Sequence, residues 1–149
     1  MAECIFCHIV AGALPSSQVY EDDDFVSFMD IYPWRPGHVL IIPKQHAVRV
    51  AEMSDGAGER LFGVGLRIAA AVRASTLACD DVHFLVNDGR AANQSVPHVH
   101  LHVLPRRRGD IGKLTLQLLK RPLIPLLRPA RRAVLDVQAA AIRAAMQPV

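Results

Sequence analysis

Short apolar runs bounded by turn-forming residues predict a set of β-strands along this chain. Residues 25–30, 38–42 and 82–87 are apolar runs flanked by Asp, Gly or Pro. Runs of this length with such flanks are typical of strands, since a helix needs a longer periodic pattern. About ten residues that include a glycine join the third run to residues 97–106, which predicts an antiparallel pair with a long loop.

Two further stretches have the apolar spacing of amphipathic helices. Residues 56–75 follow two candidate N-caps, Ser54 and Asp55, and predict a long helix. The apolar positions that recur at helical spacing there are Leu61, Val64, Ile68 and Val72. Residues 132–146 predict a final helix, and we expect its buried positions to include Val134, Val137 and Ile142.

The segment between these helices, residues 113–131, is apolar and basic and contains three prolines, so it cannot be one uninterrupted helix. Antiparallel strands together with two helices predict an α+β fold. We expect two parts: a core over residues 1–110, and a basic extension over residues 111–149 that ends in a helix and packs on the same domain.

Three of the seven histidines alternate with apolar residues in "PHVHLHVLPR", residues 97–106. In a helix, His100 would point away from His98 and His102, whereas in a strand all three imidazoles share one face. The pattern therefore predicts a strand with an apolar face and a chemical face. A neutral imidazole can attack phosphorus or carbon, or transfer protons, near pH 7, and adjacent imidazoles can donate hydrogen bonds to phosphate oxygens.

The N-terminal "CIFC" supplies two thiols at the spacing of half a tetrahedral zinc site. The alternative is that Cys4 and Cys7 are small residues packed near the first strand. His46 and His98 are the candidates for the remaining ligands. Three cysteines are too few for a disulfide framework, which favours a reducing, cytoplasmic location.

Charge is divided unevenly along the chain. Residues 1–105 carry a net charge of −5, and residues 106–149 carry +8. Such a basic tail can meet nucleic acid, acidic lipid or phosphorylated substrates, but a solvated basic surface is the favoured interpretation. The N-terminus does not have the pattern of a secretory signal, and no apolar stretch approaches the length of a membrane span, so no membrane association is predicted.

Together these motifs resemble the histidine-triad (HIT) family, whose signature alternates three histidines with hydrophobic residues. "HVHLHVL" fits that signature at every position, and residues 4–46 and 84–110 are similar to the two halves of the family's domain. The resemblance implies a strongly bent antiparallel sheet with one long helix, usually in a homodimer. It also implies a nucleotide hydrolase or transferase that acts on the α-phosphate of purine nucleoside phosphoramidates or nucleotidyl conjugates.

The resemblance assigns the chemistry mainly to His100, which would attack phosphorus to form a nucleotidyl-imidazole intermediate. A bond from His100 Nδ1–H to the His98 carbonyl would fix its tautomer, and His102 would donate to a phosphate oxygen. Gln94 and Ser95 would contact the phosphate and assist the leaving group. The remaining implied substrate-site residues are Asp30 for the ribose, Asn87 near the phosphate, His38 behind the triad, and Phe6, Ile9, Leu14, Phe28 and Ile31 around the base.

The resemblance also strengthens the metal hypothesis, since it implies structural zinc held by Cys4, Cys7, His46 and His98. Three features depart from the family pattern. Asn93 replaces a frequent glycine, Trp34 and Arg35 occupy a loop that is usually less bulky, and the segment 113–131 is unusually basic and interrupted by prolines, which bears on substrate choice. Two alternatives stay open. One is a dinucleoside polyphosphate hydrolase or phosphorylase, and the other is a non-catalytic protein that binds nucleotides or nucleic acid.

Overall fold

Five antiparallel strands form a single sheet in a computed structural model that describes residues 4–120 and 128–146. The strands pair in the order β1-β2-β3-β5-β4. They are β1 (Gln18–Glu21), β2 (Phe25–Met29), β3 (Val39–Pro43), β4 (Asp81–Val86) and β5 (Leu101–Arg106). The helices are α1 (Ile5–Val10), α2 (Ala57–Ala74), α3 (Ile111–Lys120) and α4 (Arg132–Ala145), with single 3-10 turns at Val50–Glu52 and Arg90–Ala92. The predicted α+β class is confirmed.

The alternation of side chains along the strands divides the interior into two clusters. Val39 and Ile41 face the larger cluster, which also includes the inner faces of α2 and α4. Leu40 and Ile42 face a smaller cluster beneath α1. Because successive strand residues point to opposite faces, one sheet supports a structural core on one side and a second, smaller apolar layer on the other.

Helix α2 confirms the predicted apolar spacing, since Leu61, Val64, Ile68 and Val72 are all buried in the larger cluster. Its predicted caps are wrong. The N-cap is Gly56, with φ of 71° and no side-chain cap bond. A left-handed backbone favours glycine, so the helix begins after a glycine turn rather than at Ser54 or Asp55.

Helix α4 corrects the predicted pattern of burial at the C-terminus. Ile142 is buried as expected, but Val134 and Val137 are exposed, and Leu135 and Ala139 fill the core positions instead. The helical spacing was predicted correctly, but the buried face of the helix was not. Which face meets α2 and β1 depends on how the helix docks.

Residues 128–131 are not helical, in agreement with the predicted interruption, and residues 121–127, which include two of its three prolines, lie outside the described residues. The division at residue 110 stays a prediction, and its ends at 1–3 and 147–149 also lie outside the described range. Within that range, no helix is long and apolar enough to cross a membrane.

Candidate active site and metal site

The histidine segment runs from an irregular stretch into β5. The regular strand begins at Leu101 rather than at residue 98, so only His102 of the triad lies within it. The alternation nevertheless holds, since Val99, Leu101 and Val103 are in the larger core cluster. The three histidines are themselves buried, between 0% and 6% exposed, so their face is enclosed rather than open to solvent.

The tautomer of His100 is fixed by a backbone contact. His100 Nδ1 lies 2.7 Å from the carbonyl oxygen of His98. A carbonyl can only accept, so Nδ1 carries the proton and Nε2 carries the lone pair. The Phe6 ring meets the His100 ring edge-on, with centroids 5.4 Å apart, and restricts its rotation. This is the hydrogen bond that the family resemblance implies for a nucleophilic imidazole.

A second chain of contacts orients His102. The backbone N–H of Trp34 donates to His38 Nδ1 at 3.3 Å, and His38 Nε2 lies 2.9 Å from His102 Nδ1. Because His38 Nδ1 accepts from Trp34, we assign the His38 proton to Nε2, which donates to His102 Nδ1. His102 then carries its own proton on Nε2 and presents a donor. The Trp34 ring stacks on the face of the His102 ring, with centroids 6.0 Å apart, and limits the movement of this imidazole.

A cavity of about 280 Å³ opens beside the triad. His100, His102 and Ser95 supply polar groups to its wall, and Asp30 supplies a carboxylate. The Tyr32 N–H donates to Asp30 Oδ1 at 2.8 Å, which fixes that carboxylate. Among the predicted base-pocket residues, those on the cavity wall are Phe6, Ile9, Phe28 and Ile31. A mostly apolar cleft with a few convergent polar groups is typical of a small-molecule site.

Several predicted site residues lie behind or beside this cavity rather than on its wall. Leu14 is 39% exposed and is not part of the lining. Gln94 braces the loop before the triad, since its Oε1 accepts from Gly89 N–H and its Nε2 donates to the Val48 carbonyl, each at 2.8 Å. Asn87 Nδ2 is 3.4 Å from the Asn93 carbonyl. Their predicted contacts with a phosphate therefore stay predictions.

The loop that precedes the triad contains the expected left-handed residue. Asn93 has φ of 61° and ψ of 33°, a conformation that asparagine tolerates better than most residues. The replacement of the family's usual glycine is therefore compatible with the same turn.

The donor atoms of Cys4, Cys7, His46 and His98 all lie within 4.8 Å of one another. Four of their separations are 3.2 Å (Cys7 Sγ to His46 Nδ1), 3.3 Å (His46 Nδ1 to His98 Nδ1), 3.4 Å (Cys4 Sγ to His98 Nδ1) and 3.7 Å (Cys7 Sγ to His98 Nδ1). Tetrahedral zinc with its usual bond lengths sets ligand atoms roughly 3.3–3.8 Å apart. The cluster therefore fits a tetrahedral ion with two sulfur and two nitrogen ligands.

The protonation of His98 also suits a metal ligand. Its Nε2 lies 2.8 Å from the Pro43 carbonyl and must donate, which leaves the lone pair on Nδ1, directed towards the thiols. Burial is the main cause that lowers the pKa of His98, with smaller contributions from the nearby His46 and His100, so the ring is neutral near pH 7. Burial, and then the neighbouring Cys4, raise the pKa of the Cys7 thiol. A bound cation opposes that shift, because it favours the thiolate.

His98 joins the two sites. Its side chain belongs to the metal cluster, and its carbonyl oxygen receives the Nδ1–H of His100. A displacement of His98 would therefore move the group that orients His100.

The cavity also includes a residue that the sequence analysis did not single out. Arg132, the first residue of α4, lies on the wall together with Pro15 and Ser16. The sequence offered no local signal for this position, since Arg132 is one of many basic residues in the tail and reaches the cavity only through the docking of α4.

Comparisons with known proteins agree with this geometry. The family model described as "HIT domain" matches residues 11–109. An uncharacterized HIT-like protein of Mycobacterium tuberculosis is 48% identical over 107 residues, which are 72% of this chain and 74% of the relative. An adenosine 5′-monophosphoramidase of Schizosaccharomyces pombe is 35% identical over 109 residues, which are 73% of this chain and 78% of that enzyme.

A solved structure gives the same result for the fold. A zinc-bound histidine triad family protein from Mycobacterium smegmatis superimposes with a TM-score of 0.80 at 38% identity, over 97% of this chain and 93% of that one. With its triad, its sheet order and these relatives, this chain belongs to the HIT domain family.

Proposed function

We propose that this protein is a nucleotide hydrolase or transferase that cleaves purine nucleoside phosphoramidates or related nucleotidyl conjugates at the α-phosphate. The observation that carries the proposal is the bond of His100 Nδ1–H to the His98 carbonyl, on the wall of a cavity sized for a small molecule. The adenosine 5′-monophosphoramidases among its relatives support this substrate class.

In the first step, His100 Nε2 attacks the α-phosphorus, and the bond from phosphorus to the leaving amine or phosphate breaks. The Nε2–H of His102 donates to a non-bridging oxygen, which stabilises the charge that develops in the transition state. The hydroxyl of Ser95, on the same wall, donates to the departing atom. In the second step, water attacks phosphorus, and the bond to His100 breaks with its electron pair returning to Nε2. The water gives up a proton, which replaces the one that passed from Ser95 to the leaving group, and the nucleoside monophosphate leaves with the added hydroxyl oxygen.

The apolar walls and Asp30 would hold the rest of the nucleotide. A carboxylate accepts from two adjacent hydroxyl groups, which matches the 2′ and 3′ positions of a ribose. Phe6, Phe28 and Ile31 would pack against the faces of the base.

We also propose that Cys4, Cys7, His46 and His98 bind zinc. When bound, the ion supplies a structural cross-link between the N-terminal segment and the triad, and no catalytic chemistry. The separations of the four donor groups and the zinc-bound relative from M. smegmatis support this choice. Because thiolate ligands must stay reduced, we place the protein in the cytoplasm.

We propose that the protein assembles as a homodimer, and the exposed edge of the sheet supports this proposal. β4 is an edge strand, and apolar side chains are exposed on it and on the adjacent α2. They are Phe62, Leu66, Leu85 and Val86. An edge strand beside an apolar helix face is a surface on which a second copy can continue the sheet.

The test is turnover of adenosine 5′-phosphoramidate beside a diadenosine polyphosphate, by wild type, His100→Ala and His83→Ala. His83 is the matched control, since it contacts Arg106 at 2.9 Å and is not on the cavity wall. We expect wild type and His83→Ala to cleave the phosphoramidate and His100→Ala to lose at least about 10³-fold in kcat.

The other results select between the alternatives. Preference for the diadenosine compound would assign the protein to the polyphosphate hydrolases or phosphorylases. If folded, zinc-loaded wild type cleaves neither compound, the proposal is wrong. Salt-dependent binding of RNA or DNA that survives His100→Ala would then favour a nucleic-acid-binding protein with a basic tail.

A further inference from the structure

Arg132 is held on the cavity wall by a small network at the start of α4. Its Nη1 donates to Ser17 Oγ at 3.1 Å, and its Nη2 donates to the Pro15 carbonyl at 2.9 Å. Ser17 is 2% exposed, and its hydroxyl donates in turn to Asp136 Oδ1 at 2.6 Å, one turn further along α4. These contacts use two of the five N–H groups of a guanidinium and fix its plane.

The sheet register places this guanidinium far from the triad. His102 pairs with Leu40, Leu40 pairs with Phe28, and Phe28 pairs with Gln18, the residue after Ser17. Three strand spacings separate the backbone of His102 from that of Gln18, roughly 14 Å. The cavity therefore has histidines at its β5 side and an arginine at its β1 side.

Ile31 connects the arginine side to the predicted base pocket. The Ala130 N–H donates to the Ile31 carbonyl at 2.8 Å, which ties the segment before Arg132 to this wall. With the phosphate at His100 and the ribose at Asp30, as in the proposed function, the base would lie against the apolar walls on the side of the cavity that Arg132 lines.

The chemistry of a guanidinium selects among bases. It has donors only, and its fork matches a pair of acceptors. Guanine presents O6 and N7 as two adjacent acceptors, whereas adenine presents N7 beside an amino donor that would oppose the arginine N–H.

We infer that Arg132 donates hydrogen bonds to the edge of the base and makes the cavity prefer 6-oxopurine nucleotides, such as those of guanosine, over adenosine nucleotides. This inference rests on the proposed function for the position of the phosphate. Arg132 is a specificity residue in this account and takes no part in the phosphoryl chemistry.

The test compares kcat/KM for guanosine and adenosine 5′-phosphoramidates in wild type, Arg132→Ala and Arg131→Ala. Arg131 is the matched control, because it is the neighbouring arginine, is exposed like Arg132, and is not on the cavity wall. We expect wild type to favour guanosine by about tenfold, within the range for one bidentate pair. Arg132→Ala should lower the guanosine value far more than the adenosine value and bring the ratio towards one, whereas Arg131→Ala keeps the wild-type ratio.

A second readout separates this inference from the proposed reaction. Dissociation constants of GMP and AMP, measured by calorimetry on the three proteins, should show the same ratio. If neither phosphoramidate is cleaved but GMP binds about tenfold more tightly through Arg132, the reaction is wrong and the base preference stands. Equal binding of GMP and AMP by wild type, or an equal loss of both in Arg132→Ala, would overturn the inference.

Discussion

Gly65 lies where α2 packs closely on β5, and its replacement by alanine tests how tightly the triad strand is supported. A Cβ at this position would lie 2.8 Å from Leu101 Cδ2 and 3.4 Å from Phe84 Cε1. Carbon atoms pack best about 3.5–4.0 Å apart, so the Leu101 methyl group must move by roughly 0.7 Å. Leu101 is 2% exposed and enclosed by the larger core cluster, so it has little room to move.

Gly63→Ala is the matched control, since a Cβ there meets nothing within 4 Å. Both glycines lie inside α2, so each substitution gains up to about 1 kcal/mol of helix propensity, and this gain cancels in the comparison. The difference that remains is the overpacking term, about 1–3 kcal/mol. We expect Gly65→Ala to be less stable than Gly63→Ala by that amount, or by roughly 3–9 °C in Tm.

Urea unfolding at one protein concentration measures the free energies, with fluorescence of Trp34, the single tryptophan, as a reporter beside His102. We also expect a lower kcat/KM for Gly65→Ala, because Leu101 lies between His100 and His102 in the chain. Equal stability of the two variants would refute the reasoning that α2 and β5 are in tight contact at this glycine.

The metal cluster, the His38–His102 contact and the Arg106–Asp110 ion pair can each be tested by a single substitution. Cys7→Ser should lose its bound zinc, which elemental analysis measures, and about 2.7 kcal/mol of unfolding free energy when free zinc is 100 times Kd. Cys79→Ser is the control and should keep both the zinc and the stability. Zinc retained in Cys7→Ser would contradict the proposed ligand set. His38→Asn should lower kcat by about tenfold and alter the pH dependence of kcat, because His38 no longer holds the proton of His102 on Nε2. An unchanged pH dependence would show that His38 does not orient the His102 proton. Arg106 lowers the pKa of Asp110 to about 2, so Asp110 contributes stability above its unfolded pKa near 3.8. Asp110→Asn should therefore be less stable than wild type at pH 7, by at most about 2 kcal/mol. The difference between the two should disappear in urea titrations as pH falls from about 4 to below 2, and a pH-independent difference would argue against the ion pair.

The parts of the fold that local pattern determines were predictable. Helix α2 has an apolar face repeated over five turns, and the triad segment alternates strictly, so both faces were assigned correctly. The phase of α4 was not predictable, because Val134, Leu135 and Val137 are all apolar, and the packing of α4 on α2 and β1 decides which of them is buried. Strand β1 and helix α1 were not predicted, because each is too short to show a hydrophobic period.

The candidate site was likewise predictable where local sequence determines it and unpredictable where tertiary packing does. The motif and the family resemblance indicated the triad, and the structure adds the bond that fixes the tautomer of His100. The four candidate metal ligands come from three separate segments, so sequence spacing alone could not show that they meet. Arg132 is the clearest omission, since 102 residues separate it from Asp30 in the chain and only the tertiary fold brings them to one cavity.

The most direct test of the central claim is the detection of a nucleotide covalently bound to His100. The protein would be mixed with excess guanosine 5′-phosphoramidate, quenched within milliseconds at alkaline pH, and digested for mass spectrometry of the peptide that contains the triad. We predict a guanylyl adduct on His100 that forms and decays at rates compatible with turnover, is absent in His100→Ala and is present in His83→Ala. Turnover without an adduct at any time, or an adduct on another residue, would contradict the assignment of His100 as the nucleophile.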